Sequence, residues 1–401
     1  MQFVVSFQSS YNSSSVLSRQ VLESATASEV EYMIKLEITM GQAHANIHNA
    51  AESVSAFRAA LKILQEAKST TDLRDRSILF PIFSGLFVAL KLGSMKQDEA
   101  FEKKLAARFV KEAKAHGDPV HYSRALAIEA ELYGRLGEFN RALLTVAEIE
   151  GVYDLQKHTA AISQIYGSDR PAQAIGLRSL WYYQMADEDK ALCNCDLVIN
   201  GLLPRMDIRN VHNAFVLLIP SLWVMKENNL AQAARINFEK YVTEPFHVYY
   251  PEGSFTPLLP LFKPITMLFD LAYYSSSADE RSPYFEEYLQ WALDAVHLRP
   301  PLIMNSVGGY GRLPGTVTSE ICLFLAMKLE NGPDREKLVK NGLEVASEAL
   351  TYAIENMLTA AEMFTRPIYE KLKLLSDGSN HRMCNLSISD SANDDISKVG
   401  P

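Results

Sequence analysis

Cysteine is scarce: Cys193, Cys195, Cys322 and Cys384 are the only four in 401 residues. Their irregular spacing in a long chain excludes a disulfide framework and indicates reduced thiols, hence a cytoplasmic setting. Cys193 and Cys195 could begin a metal site, but no second Cys or His pair follows at finger spacing, so no metal is expected. Basic charge is also short. Lys and Arg total 39 against 48 Asp and Glu, a net charge of −9, which argues against a nucleic-acid partner. Long apolar runs are missing. The longest, 77–90 and 214–225, contain Pro81 and Pro220 and fall short of the roughly 20 residues of a membrane span. They read as buried helices, and no membrane partner is expected. Residues 1–10 lack the charged start and apolar stretch of a signal peptide. The triplets at 12–14 and 385–387 match the glycosylation pattern, which is short enough to arise by chance.

Motifs for chemistry are missing too. There is no Gly-x-x-x-x-Gly-Lys-Ser/Thr phosphate loop and no Gly-x-Ser-x-Gly elbow. No catalytic residue and no cofactor are therefore expected; an unrecognised helical enzyme is the least favoured reading, one that a deep pocket with converging carboxylates or histidines would raise. What is present is ordinary globular composition, 48% hydrophobic and 22% charged. Apolar residues recur three and four apart over long stretches, and no series of strands alternates at period two. Gly and Pro fall between these stretches: Gly117-Asp118-Pro119, Gly137, 167–171, Gly201, Pro204, Gly253, 308–315 and Gly332-Pro333.

The helical stretches repeat. The clearest unit spans 123–154. Its first helix carries Ala130 and Tyr133, a turn falls at Gly137, and Phe139 leads into a second helix with Ala142, Val146 and Ile149. Small residues let the two helices approach closely, while Tyr133 and Phe139 fill the gap to the next pair. A second unit carries Ser179, Tyr182, Ala186 and Ala191, with Pro204 as its end. A third carries Ser221, Asn228-Asn229, Leu230 and Ala233, closed by Pro245. An earlier unit pairs Gly41 with the run 57–63, including Ala60, and another pair spans 77–92 and 97–116. Ala142 to Ala191 is 49 residues and Ala191 to Ala233 is 42, against about 34 in the standard tetratricopeptide repeat, so helices or loops are longer than the consensus. Further on, Pro257, Pro260 and Pro264 are expected to precede a helix over 265–274. Helices follow at 284–298, 317–329 and 334–375, the last divided at Arg366-Pro367.

The expected fold is all-α, a right-handed α-α superhelix of degenerate tetratricopeptide-like helix pairs. Residues 1–14 are a flexible start, 15–250 the repeats and 251–375 more divergent repeats. Residues 376–401 are a Ser/Asp-rich disordered tail. A helical unit begins near Ser15 with no polar cap before it. Val16, Leu17, Val21 and Leu22 would then form an apolar end face for an upstream partner.

The segment with Tyr153-Asp154, His158, 165–169, Trp181 and 189–192 resembles a known family. It is similar to the C-terminal helical-repeat region of large signalling ATPases of the AAA or STAND type. In those proteins the repeats follow an ATPase module, often with a class III nucleotide cyclase, a kinase or a transcription-regulator domain. Leu136-Gly137-Glu138-Phe139 and 212–215 fit the same pattern, and the resemblance covers roughly 51–242. Ala186 stands where Gly is usual in the turn, and no Pro follows Asp169 directly. The ATPase and effector motifs are absent, so their activities do not transfer. The resemblance implies a sensor arm that receives a partner or ligand and restrains an ATPase in cis or in trans. Without that resemblance, the repeats imply a scaffold that takes a protein or peptide on a concave face lined by the first helix of each pair.

Several residues could carry more. His44 and His48, four apart on one helix face, have the spacing of a metal pair but no intervening Glu; a packed or solvated face is the plainer reading. Gly308-Gly309-Tyr310-Gly311-Arg312 could bind an anion, but no strand precedes it, and a connector is the plainer reading. Trp181, Trp223 and Trp291, with Tyr182, Tyr183 and Tyr288, could line a peptide groove or pack between helix pairs. Ser387, Ser389, Ser391 and Ser397 lie near acidic residues where phosphorylation would add charge to a solvated tail.

Overall fold

A computed structural model of the protein describes residues 26–46, 49–70, 76–92, 99–206, 211–249, 259–275, 281–294, 314–355 and 359–377. The all-α expectation holds: among the described residues there is no strand. Helices α1 (Ala27–Asn46) and α2 (Ala50–Thr70) form the first pair, and α3 (Leu79–Leu92) and α4 (Glu99–His116) follow. Next come α5 (Pro119–Arg135), α6 (Phe139–Val152) and α7 (Leu155–Tyr166). Then α8 (Arg170–Gln184) leads to α9 (Glu188–Asp196), which runs on through a wider π turn at Leu197–Leu202. Helix α10 (Val211–Glu227) precedes α11 (Ala231–Phe238), a π turn at Glu239–Thr243 and α12 (Glu244–Tyr249). The chain continues through α13 (Leu259–Ser275), α14 (Phe285–Asp294), α15 (Pro314–Lys328), α16 (Pro333–Glu355) and α17 (Thr359–Ser376). One continuous apolar core runs from Val30 to Leu375.

Aspartates start the central helices. Asp118, Asp154, Asp169 and Asp187 each accept a backbone N–H in the first turn of α5, α7, α8 and α9. Left-handed residues end the first helix of three pairs: Gly137 (φ 77°), Ala186 (φ 57°) and Asn229 (φ 61°). The residue after each donates its N–H back to the first helix. These bonds are Glu138 to Tyr133 at 2.9 Å, Asp187 to Tyr182 at 2.9 Å and Leu230 to Met225 at 2.8 Å. The same Schellman closure therefore sits two residues before α6, α9 and α11. Five residues beyond each turn lie Ala142, Ala191 and Ala234, all fully buried. The registered residue of the third pair is thus Ala234, and Ala233, one position earlier, is half-buried.

The repeat extends to side chains. The Arg141 guanidinium lies 4.0 Å over the Tyr133 ring, and the Lys190 ammonium 5.7 Å over the Tyr182 ring. Both cations stand eight residues after their tyrosine, and each also meets the acid that opens its helix, Glu138 or Asp187. Glycine sets the closest approaches. A Cβ on Gly176 of α8 would stand 2.3 Å from the Leu217 carbonyl oxygen of α10, and one on Gly134 would stand 2.4 Å from the Trp181 ring. The Phe57 ring fills the space over both Gly41 and Gly85, clamping α1, α2 and α3 together.

The extra length between the first two units is a whole helix. α7 stands between α6 and α8 and packs across α3 and α5. Proline placement also differs from the expectation. Pro264 lies inside α13, and Pro367 lies inside α17 rather than dividing it. A proline costs one backbone bond, which apolar burial on the same helix outweighs when residues such as Leu268 and Leu372 are fully buried. Pro245, expected to close the third unit, instead lies within α12, which runs on from the π turn without a break.

Candidate functional site

The distinctive segment of the sequence builds a staple around α7. Asp154 caps α7 and its own N–H meets His158 Nδ1 at 3.0 Å. Gly167 closes the helix at φ 78°. The Tyr153 hydroxyl donates to Asp169 Oδ2 at 2.6 Å, so the residues entering and leaving α7 are tied together. Asp169 also caps α8, and its N–H meets Asn213 of α10 at 3.1 Å. Burial raises the pKa of the Asp169 carboxyl, and its hydrogen bonds from Tyr153 and Ala172 oppose that shift. Tyr166 completes the staple: its hydroxyl lies 2.6 Å from His121 Nδ1, and Arg124 stacks 4.8 Å over its ring.

Arg124 is a fully buried cation. It donates to Ser84 at 3.0 Å and to the Ser168 carbonyl at 2.8 Å, joining α3, α5 and the α7–α8 turn. Burial, and second the like charge of Arg170, lower its pKa to about 9, which still leaves it charged at neutral pH. Further buried pairs join neighbouring helices: Glu102 with Arg135, Glu131 with Arg170, and Lys226 with Glu320. Such pairs add little net stability over an apolar contact, but they fix register, because a slipped pair leaves a charge buried alone.

These pairs carry a row of interest. Counted back two residues from the left-handed turns, Arg135, Gln184 and Glu227 are equivalent last residues of α5, α8 and α10. The side chains of all three are buried. The next residues inward are Gly134, Tyr183 and Lys226. Tyr183 stacks on Phe364 of α17 with ring centroids 6.3 Å apart, and Lys226 pairs with Glu320 of α15. The two ends of the Gln184 amide find no hydrogen-bond partner among the described residues. Helices α5 and α8 are buried nearly all round, so these two first helices offer little open surface of their own. In α8 only Arg178, Tyr182 and Tyr183 keep partial exposure.

The other sequence candidates fall out as follows. Gly41, Ala60, Ala130, Gly137, Ala142 and Ala191 sit at close helix contacts or turns, and Tyr133, Phe139 and Tyr182 are half-buried against the core. Trp181 and Trp223 are core residues, the first against Gly134 and the second 5.2 Å from Phe269. Tyr288 is buried and Trp291 half-buried on α14. Cys193 is exposed and Cys195 buried, because residues two apart on a helix point to opposite sides. Burial pushes the Cys195 thiol up to about 11, the wrong direction for a metal-binding thiolate. His44 is in the last turn of α1. His48, the 308–312 loop, Val16, Leu17, Val21, Leu22 and the tail serines lie outside the described residues. Among the described residues no three His, Cys, Asp or Glu gather as a metal cluster, and no helix is long and apolar enough to cross a membrane.

Sequence reasoning missed Arg124, Glu131, Arg170, Lys226 and Glu320. Their signal was a charge at a core position of a helix, visible once the burial stripe is known. Compared with known protein families, characterised proteins and solved structures, the chain has no match.

Proposed function

We propose that this protein is a non-catalytic interaction or sensor module built of tetratricopeptide-like helix pairs, working as a scaffold in signalling. The carrying observation is the threefold recurrence of one closing turn with one buried alanine behind it, at Gly137, Ala186 and Asn229. Recurrence of this kind stacks helix pairs and presents equivalent side chains at regular intervals, which suits recognition of an extended or helical partner. The buried charges are engaged in holding pairs in register.

A second reading rests on the staple around α7: a regulatory arm acting on a signalling ATPase. Tyr153, Asp154, His158, Tyr166, Gly167 and Asp169 carry the resemblance to such arms, and here they cap α7, tie its two ends together and link it to α5. One experiment separates the two. The purified protein is used to capture partners, and each candidate is then titrated directly against it by calorimetry. A one-to-one complex with a phosphate-loop ATPase whose turnover changes on binding supports the arm. A saturable complex with another protein supports the free scaffold. Substrate turnover by the purified chain alone would refute both.

A further inference from the structure

Helix α5 packs on both α4 and α6, and among the described residues those two do not pack closely on each other. Two ion pairs bridge them across α5. Lys103 of α4 meets Glu138, at the start of α6, at 3.0 Å, and Lys114 of α4 meets Glu148 of α6 at 3.4 Å. On α6 the two bridges stand about 15 Å apart. Along the same span, α5 places Tyr122, Leu126, Glu129 and Tyr133 on one face. Tyr122 and Leu126 are buried. Beyond its first turn, only Glu129 and Tyr133 of α5 keep partial exposure. The side chains between the bridges are short: Ala106 and Val110 on α4, and Thr145 on α6, whose hydroxyl is turned to the Arg141 carbonyl at 3.0 Å.

Glu129 is the unbalanced charge of this span. Glu138 holds Lys103 and Arg141, and Glu148 holds Lys114. Glu129 forms no ion pair among the described residues. It accepts a long hydrogen bond, 3.4 Å, from the Tyr133 hydroxyl, which itself accepts from Arg141 at 2.7 Å. Burial raises the pKa of the Glu129 carboxyl, and the Tyr133 bond and the Arg141 charge oppose that shift. A carboxylate in this state gains from a cation brought against it. The next pair shows the equivalent place filled. Eight residues before the left-handed turn, where α5 has Glu129, α8 has Arg178. Its guanidinium donates to Glu150 of α6 at 2.8 Å and to Asn194 of α9 at 2.6 Å. The chain thus supplies a cation in the second pair and none in the first.

We propose that Glu129 binds a lysine or arginine side chain of a protein partner, inserted between α4 and α6 in the span between the two bridges. The site rests on the partner-binding reading above and deepens it by naming the chemistry of the partner. Arg141 already covers the Tyr133 ring at 4.0 Å, so the incoming cation meets the carboxylate and not an aromatic face. Lys103 and Lys114 stand at the two ends and repel further positive charge, so the partner presents a single basic residue and not a basic run.

The test is a selection of short random peptides displayed on phage against the full chain. The expected winners share one Lys or Arg, and each is then titrated by calorimetry. Glu129→Gln should weaken them at least about tenfold. Glu129→Lys should recover binding for the same peptide with Glu in place of its basic residue. Glu129→Gln should melt no lower than the native protein, because it removes a half-buried charge that has no ion pair; native circular dichroism for both variants ties the loss to the site and not to unfolding. Winners without a shared basic residue, winners that bind Glu129→Gln equally, or no winner at all would overturn the site. Binding of spermidine with no basic peptide selected would assign Glu129 to a free amine and overturn it as well. In any of these cases, captured partners that bind native protein and Glu129→Gln alike leave the scaffold reading standing.

Discussion

Replacing Gly176 by alanine tests a close approach of two helix backbones. The new Cβ would lie 2.3 Å from the Leu217 carbonyl oxygen, against 3.4 Å for an ordinary contact, so α8 and α10 must separate by about 1 Å. The oxygen belongs to the backbone of a buried helix and cannot swing aside as a side chain would. Parting the helices also stretches the 3.0 Å hydrogen bond between Ser179 and Ser221. Overpacking of this kind costs about 3 kcal/mol at the upper end of its usual range. Alanine returns about 1 kcal/mol through its better helix propensity. The net expectation is a loss of about 2 kcal/mol, read as a lower urea midpoint by circular dichroism. Gly151→Ala is the control. Nothing lies within 4 Å of its Cβ position, so only the propensity gain remains and the midpoint should rise slightly. If Gly176→Ala proves as stable as Gly151→Ala, the close approach of α8 and α10 is not what holds this pair of helices.

Three further expectations follow from the turns and the buried charges. Ala186→Gly should stabilise the fold and Gly137→Ala destabilise it, each by about 1 kcal/mol and read as opposite shifts in melting temperature, because both positions need a left-handed backbone; equal melting of the two variants would contradict the shared turn. Glu131→Ala should cost about 3–5 kcal/mol by leaving Arg170 buried without that partner, whereas the double change Glu131→Leu with Arg170→Met should recover most of it; an additive double-mutant cycle in urea would remove the pair from the account. Asp169 has a raised pKa in the folded state, so its contribution is fully present below the ordinary aspartate value and is lost as pH rises through the folded one. Measured against Asp169→Asn, the native protein should therefore lose stability across that acidic window and run parallel above it, and parallel curves throughout would deny the burial effect.

Much of the local structure was legible in the residues. Asp118-Pro119 and Gly137 bracket α5 because capping and left-handed closure are decided within a few residues. Ala142 and Ala191 were legible as close contacts from their place in the repeat. Ala234 was not, because Ala233 and Ala234 are adjacent small residues and only the turn at Asn229 settles which one faces inward. Helix α7 is hidden for a related reason: the 49-residue spacing from Ala142 to Ala191 implies longer helices or loops, while residues 155–166 form a helix of their own across α3 and α5.

The sequence by itself determined that the chain is helical, where most of its helices begin and end, and that its helix pairs repeat, since each of these depends on hydrogen bonds and side-chain spacing within a turn or two. Only the tertiary structure decided which charges are buried and with whom. Lys226 and Glu320 stand 94 residues apart, and no local pattern announces their meeting. The same holds for the C-terminal helices, whose own amphipathic faces specify that they bury something but not that Phe364 should reach Tyr183 across the ends of the repeats. Local geometry is set by the backbone's short-range bonds; the covering of the end row is set by how far the stack of helices carries one part of the chain back towards another.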